Sequence, residues 1–234
     1  MKIITDPSDI TKITSKVYFD LPEKKRAPIY FIVTRIIDII VAIFALIILS
    51  PLLAVISLAI FIEDRHSPIY VDKRLGKDKK IFGFYKFRSM FVNASQMERN
   101  NKEVYKKLRS AEHKIENHPY VTKVGKFIRK ASIDEIPQFI NVIKGEMSVV
   151  GPRALKVDEE SKFRSENPKH HKYLDALFEI KPGITGIWQI SGRSKIDFEH
   201  RIRMEGYYAR TYSVLNNILI MLKTPIAILR AETH

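Results

Sequence analysis

From Ile39 to Ile62 the chain is apolar without a single charge, has a proline at its centre and carries basic residues on both flanks. At 1.5 Å per residue such a run reaches ~36 Å as a straight helix, enough for a bilayer core of ~30 Å. Lys24, Lys25, Arg26 and Arg35 precede it, and Arg65, Lys73, Arg74, Lys77, Lys79 and Lys80 follow it. A spanning helix collects Lys and Arg on its cytoplasmic side only, so two basic flanks are best satisfied if both ends stay on that side. Ser50-Pro51 supplies a means. Proline removes a backbone donor and clashes with the preceding turn, at ~3 kcal/mol in a helix interior, and a neighbouring Ser hydroxyl can bond a freed carbonyl. The expectation is a re-entrant helix-break-helix hairpin. Asp38, one turn after Arg35, is expected to pair with it, because an acid at that depth is costly alone.

The rest of the chain limits what the hairpin can serve. The 234 residues leave room for one compact domain beside a membrane element, and the formal net charge of +14 calls for a polyanionic partner. A membrane segment favours anionic lipid or a phosphorylated substrate over nucleic acid. The sequence contains 0 cysteines, which excludes disulfides, thiol nucleophiles and Cys-based zinc sites. The apolar run starts late, is too long for a signal-peptide core and is followed by no small-residue cleavage site, so a secretory signal is not expected. The domain reading is a polar arm over 1–28, a membrane hairpin over 29–66 and a cytoplasmic catalytic domain over 67–234. The expected class is α+β and mainly helical, with a short β-hairpin and amphipathic interfacial helices.

Ile69–Arg74 and Lys80–Arg88 read as the hairpin strands, with Phe82, Phe84, Lys86 and Arg88 on one face. Asn93–Asn117 reads as a solvated helix and Val121–Arg129 as a short basic one. A further helix runs to about Lys144, where Gly145 ends it. Glu159–Phe178 is helical in parts, and glycine-rich Lys181–Ser194 reads as a loop. Val214–Leu222 is apolar but too short to span; it suits the interface plane and a buried core helix equally.

The densest chemistry lies in Arg129–Gln138. Ser132 and Glu135 have capping-box spacing, and Pro137 suits a helix first turn. Asp134 and Glu135 then fall at a helix N-terminus, where free N–H groups and the dipole favour anions. Adjacent carboxylates among cations suit phosphoryl chemistry with Mg²⁺, and one carboxylate could attack phosphorus. On spacing alone, a plain helix cap explains the pair better.

The larger pattern tips that balance. Ser132-Ile133-Asp134-Glu135-Ile136-Pro137-Gln138, followed by Asn141-Val142-Ile143-Lys144-Gly145-Glu146-Met147-Ser148-Val149-Val150-Gly151-Pro152-Arg153, resembles the signature of the bacterial sugar transferases, the monotopic polyprenyl-phosphate phosphoglycosyl transferases. Arg35 and Asp38, Ser50-Pro51, Lys86-Phe87-Arg88-Ser89-Met90 and the block from Lys181-Pro182-Gly183 to Arg193 match in order. The resemblance implies transfer of a sugar 1-phosphate from a UDP-sugar to undecaprenyl phosphate with release of UMP, the first membrane step of capsule, exopolysaccharide or O-antigen assembly. It implies Asp134 as nucleophile, forming a covalent phosphosugar intermediate, and Glu135 as its assistant through metal binding or proton uptake. It also implies Mg²⁺ as cofactor and the cytoplasmic face of the bacterial inner membrane as location.

Both substrates are phosphorylated, so Lys86, Arg88 and Arg153 are the candidate phosphate contacts. Membrane lipids are expected partners and nucleic acid is not; a homodimer is left open. Three positions depart from the family pattern: Ala154 replaces a usual Pro, and Glu205 and Asn217 stand where Asp is common. The chain reads as the catalytic unit alone, without the N-terminal membrane helices of larger relatives. His170-His171 reads as a solvated basic patch. Trp188 suits a uracil platform, an interface anchor or core packing. The rival readings are a membrane-tethered nucleic-acid binder and a single-pass anchor for a scaffolding domain.

Overall fold

The computed structural model describes residues 14, 20–23, 28–101, 118–192 and 196–231. Most of the expected polar arm, most of the helix expected over Asn93–Asn117, and Arg193 with its two followers lie outside the described residues. The fold is mainly helical with a small set of strands. In place of the expected helix-break-helix, a single helix α1 spans Pro28–Asp64 and continues through Pro51, and Ser50 and Pro51 are both exposed. Its best window has a mean hydropathy of 3.1, long and apolar enough to cross a membrane.

Strands β1 (Ile69–Leu75) and β2 (Ile81–Phe87) pair as the expected hairpin. Phe82 and Phe84 are buried as period two requires, but Phe87 takes the next buried place. Helices α2 (Ala94–Asn100), α3 (Lys123–Lys130) and α4 (Gln138–Lys144) follow. Gly145 adopts φ 81 after α4, the left-handed stop its position in the sequence suggests. Next come β3 (Ser148–Val150), α5 (Val157–Glu166), α6 (His171–Leu177), β4 (Gly183–Thr185), α7 (Ile187–Ser191), α8 (Phe198–Thr211) and α9 (Val214–Ala231).

Lys181–Ser194 is therefore not a plain loop. It holds β4, which pairs in parallel with β3 through Ser148↔Gly183 and Val150↔Thr185, and then α7. The glycines serve close packing: a Cβ on Gly183 would lie 2.0 Å from the Gly151 nitrogen. A three-residue strand of that kind shows no alternation to read.

The chain forms two compact units. The first comprises residues up to Ile47, Val71–Phe84 and Gln138 onward. Its core joins Phe82, Phe84, Val142, Met147, Val149, Ile187, Met204, Tyr208 and Ile220, with a second cluster around Leu155, Tyr173, Leu174 and Ile202. The other unit comprises Ile48–Tyr70 and Tyr85–Pro137, cored by Ile56, Ile60, Phe87 and Ile128. The two halves of α1 thus belong to different units.

The polar residues of α1 do not pair as expected. Arg35 donates to the carbonyls of Val142 (2.5 Å) and Ile143 (2.8 Å), terminating α4. Buried Asp38 accepts from the Ser148 hydroxyl and the Val149 N–H, both at 2.9 Å. Each takes its hydrogen bonds from the domain instead, because orphan helix carbonyls and a strand N–H lie within reach. On the other half, Glu63 accepts from the N–H groups of Lys123 (2.7 Å) and Val124 (3.1 Å), capping α3.

Helix α9 has a buried face, as the core reading of Val214–Leu222 expects, and an exposed apolar one. It runs on through Pro225 to Ala231. Asn216, Asn217 and Ile220 are buried, while Leu215, Ile218, Leu222, Ile226 and Leu229 form an exposed apolar stripe at helical spacing.

Candidate active site

In the second unit, α3 leads directly into the carboxylate pair. Its first N–H groups are taken by Glu63, and the Thr122 hydroxyl oxygen accepts from Gly125 N–H at 2.9 Å. Ile128, fully buried, seats the helix against Ile56, Ile60 and Phe87. Lys123, Lys126, Phe127, Arg129 and Lys130 are exposed. The chain then turns sharply. Ser132 sits at φ 55, ψ 23, left-handed for a non-glycine residue, and Ile133–Glu135 forms one 3₁₀ turn. The expected capping box is absent: the Ser132 side chain makes no cap hydrogen bond. A left-handed Ser132 closes the preceding turn instead, through its N–H to the Arg129 carbonyl at 3.2 Å. Asp134 and Glu135 are half-buried, within one turn ahead of Pro137 and α4.

Lys86 and Arg88 belong to the same unit and meet over one ring. The Lys86 ammonium and the Arg88 guanidinium lie 5.2 and 6.0 Å from the Tyr70 centroid. Arg88 also donates to the Ser67 carbonyl at 2.9 Å.

Arg153 belongs to the first unit, at the end of the Gly151-Pro152-Arg153 turn. Its N–H donates to Glu205 at 2.9 Å, and buried Arg74 donates to the Ala154 carbonyl at 3.1 Å. These bonds, with the bridge between Leu75 and Leu155, fix the turn although Ala154 stands where proline is usual. Glu205 also accepts from Arg201 Nε at 3.2 Å. Both guanidiniums lie near the Trp188 ring, Arg153 at 5.6 Å and Arg201 at 4.7 Å from the centroid. Burial pushes the Glu205 carboxyl above its ordinary range, against the pull of Arg201 and of Arg153. Asn217, the third departure, accepts from the Tyr208 hydroxyl at 2.7 Å and donates to the Tyr30 hydroxyl at 3.1 Å, so its amide serves both contacts.

Sequence reasoning missed Glu63 and Arg201. The available signal for Arg201 was its spacing, four residues ahead of Glu205 on one helix. Glu63 gave none, because its partners lie 60 and 61 residues away. Among the described residues, no group of three or more His, Asp and Glu side chains could hold a metal. Two adjacent carboxylates still suit Mg²⁺, which accepts one or two carboxylates when phosphate oxygens and water complete its shell.

Known proteins place this arrangement. The profile of the family described as "Bacterial sugar transferase" matches residues 29–231, and the chain belongs to that family. It is 36% identical over 201 residues to the "Undecaprenyl-phosphate galactose phosphotransferase" of Salmonella typhimurium, covering 85% of this chain and 40% of that protein. It is 38% identical over 195 residues to the "UDP-glucose:undecaprenyl-phosphate glucose-1-phosphate transferase" of Klebsiella pneumoniae, covering 81% and 38%. With "Exopolysaccharide production protein ExoY" of Rhizobium meliloti it is 35% identical over 222 residues, covering 92% and 93%. The chain thus spans about two fifths of the longer relatives, such as the 40% of the Salmonella protein, and nearly all of the shorter one.

Proposed function

We propose that this chain is a membrane-bound phosphoglycosyl transferase that moves a sugar 1-phosphate from a UDP-sugar to undecaprenyl phosphate. The observation that carries the reading is the Asp134-Glu135 turn, half-exposed and strained, in a member of a family whose relatives bear sugar-phosphate transferase names. A carboxylate oxygen of Asp134 attacks the phosphorus that bears the sugar. The bond from that phosphorus to the UMP oxygen breaks, and UMP leaves with the electron pair. A phosphate oxygen of the lipid then attacks the same phosphorus, the acyl-phosphate bond breaks and Asp134 is regenerated. Glu135 takes any proton left on the lipid phosphate. Lys86, Arg88 and Arg153 neutralise phosphate charge. Mg²⁺ would be held by Asp134 and Glu135 with substrate oxygens, and when bound it supplies further charge neutralisation on the phosphates.

The same reading sets the topology. Arg35 and Asp38 hold α4 and β3 from one half of α1, and Glu63 holds α3 from the other. In this reading both ends of α1 stay on one face, the cytoplasmic one, with Ser50-Pro51 deepest in the membrane. The apolar stripe of α9 lies in the interface plane. A surface-glycan pathway in the inner membrane is the setting.

UMP release from UDP-galactose, UDP-glucose and UDP-N-acetylgalactosamine, with undecaprenyl phosphate and Mg²⁺, tests the activity. Wild type is expected to turn over at least one of them, and Asp134→Asn to do so on the order of 10³-fold more slowly or worse. Undiminished turnover by the variant rules out the covalent route.

A further inference from the structure

The first unit holds a cluster that the reaction as written leaves unexplained. Arg201 is 7% exposed, yet its Nη2 has no hydrogen-bond partner among the described residues. Trp188 Nε1, beside it, is likewise buried without one among the described residues. Two buried N–H donors on neighbouring side chains call for an acceptor, since natural interiors rarely leave such a group unmet.

Charge says what kind of acceptor. The Arg201 and Arg153 guanidiniums both lie against one indole, 4.7 and 5.6 Å from its centroid. Glu205 contacts both residues, and Glu159 attracts Arg201 from further off. Each Glu205 oxygen is already engaged, one by the Arg153 backbone N–H and the other by Arg201 Nε, and neither is bonded to Nη2 or to the indole. A neutral acceptor would satisfy the donors but leave in place the repulsion between Arg153 and Arg201. An oxyanion answers both needs, and guanidinium forks match phosphate oxygens.

We propose that Arg201 and Trp188 Nε1, together with Arg153, form a phosphate-binding subsite, and that Glu205 is the residue that positions it. The ligand is a substrate phosphate group, supplied by the diphosphate of the nucleotide sugar or by the lipid phosphate. The assignment of that group to a substrate rests on the transferase reading above. Binding needs a local opening at Trp188, whose ring is only half-buried.

The test compares wild type, Arg201→Lys, Trp188→Phe and Asp134→Asn in the full chain, in detergent or nanodiscs. Calorimetry gives UDP affinity without turnover, and KM is measured separately for UDP-galactose and undecaprenyl phosphate. Arg201→Lys is expected to weaken UDP or to raise one KM at least tenfold. Trp188→Phe, which keeps the ring and loses the N–H, is expected to do so about threefold. A shift confined to UDP and UDP-galactose assigns the donor diphosphate; a shift confined to undecaprenyl phosphate assigns the lipid. Wild-type values for both variants overturn the subsite, whatever their melting temperatures. If Arg201→Lys fails to fold, Trp188→Phe decides by itself. Full activity in Asp134→Asn with UDP affinity still dependent on Arg201 removes the covalent mechanism and keeps the subsite. A dead Asp134→Asn with normal binding in both other variants does the reverse.

Discussion

The dyad turn and the Arg153–Trp188–Arg201–Glu205 cluster are both made of charged residues, and they are held in opposite ways. Asp134 and Glu135 sit half-exposed on a single 3₁₀ turn after a left-handed Ser132. Glu205 is 0% exposed on a fourteen-residue helix, and its two carboxylate oxygens have separate donors. The nucleophile proposed for Asp134 must stay reachable and reactive, so its segment can store strain and forgo burial. A group that aligns others must not move, so burial and full bonding suit it. The difference predicts that changes at the turn cost activity and spare stability, while changes at Glu205 cost stability first.

The largest effect is expected at Asp134. Asp134→Asn should lower turnover on the order of 10³-fold or more, about 4 kcal/mol at the transition state. Its melting temperature should stay within about 2 °C of wild type, as for other partly exposed substitutions. Next is Glu205→Ala, which strands buried Arg201 beside Arg153 and should destabilise by about 3–5 kcal/mol in denaturant titration. A Glu205→Ala protein as stable as wild type breaks the contrast from its other side. Asp38→Ala should follow at about 1–3 kcal/mol, because the Ser148 hydroxyl and Val149 N–H lose their buried acceptor. Ser132→Gly should stabilise by up to about 1 kcal/mol by removing a left-handed non-glycine residue. If it also slows turnover, the strain at that turn serves the chemistry.

The smallest effect concerns pH. Burial holds the imidazoles of His170 and His200 below their ordinary value, against the attraction of Glu199 and Asp197 respectively. A depressed value means the unfolded chain takes up the proton more readily. The contribution is therefore present above ~6.5 and lost as pH falls toward the folded-state values. Melting temperature should decline between about pH 7 and 5, and His170→Gln should flatten that decline.

Much of this was written in the sequence, for physical reasons that also mark its limit. The long helix, the β-hairpin and the Gly145 stop depend on local spacing, and local spacing is what a sequence displays. The dyad was visible as composition, but its turn was misread, since the spacing of Ser132 and Glu135 fits a capping box and a left-handed serine leaves no trace. Arg35 and Asp38 looked like partners because they are one turn apart; their real partners are 107 to 111 residues away. The strand in Lys181–Ser194 was hidden because its glycines are chosen for backbone contact, not for side-chain pattern. Glu63 was hidden because its partners lie 60 and 61 residues away, whereas Arg201 was overlooked although its spacing to Glu205 is local.

The most direct test of the central claim is intact-protein mass spectrometry after incubation with a UDP-sugar and Mg²⁺ without lipid acceptor. Wild type should gain the mass of one sugar phosphate on Asp134 and release one equivalent of UMP. The adduct should vanish when undecaprenyl phosphate is added, and Asp134→Asn should never acquire it. Turnover without any adduct, or an adduct that persists in Asp134→Asn, contradicts the account.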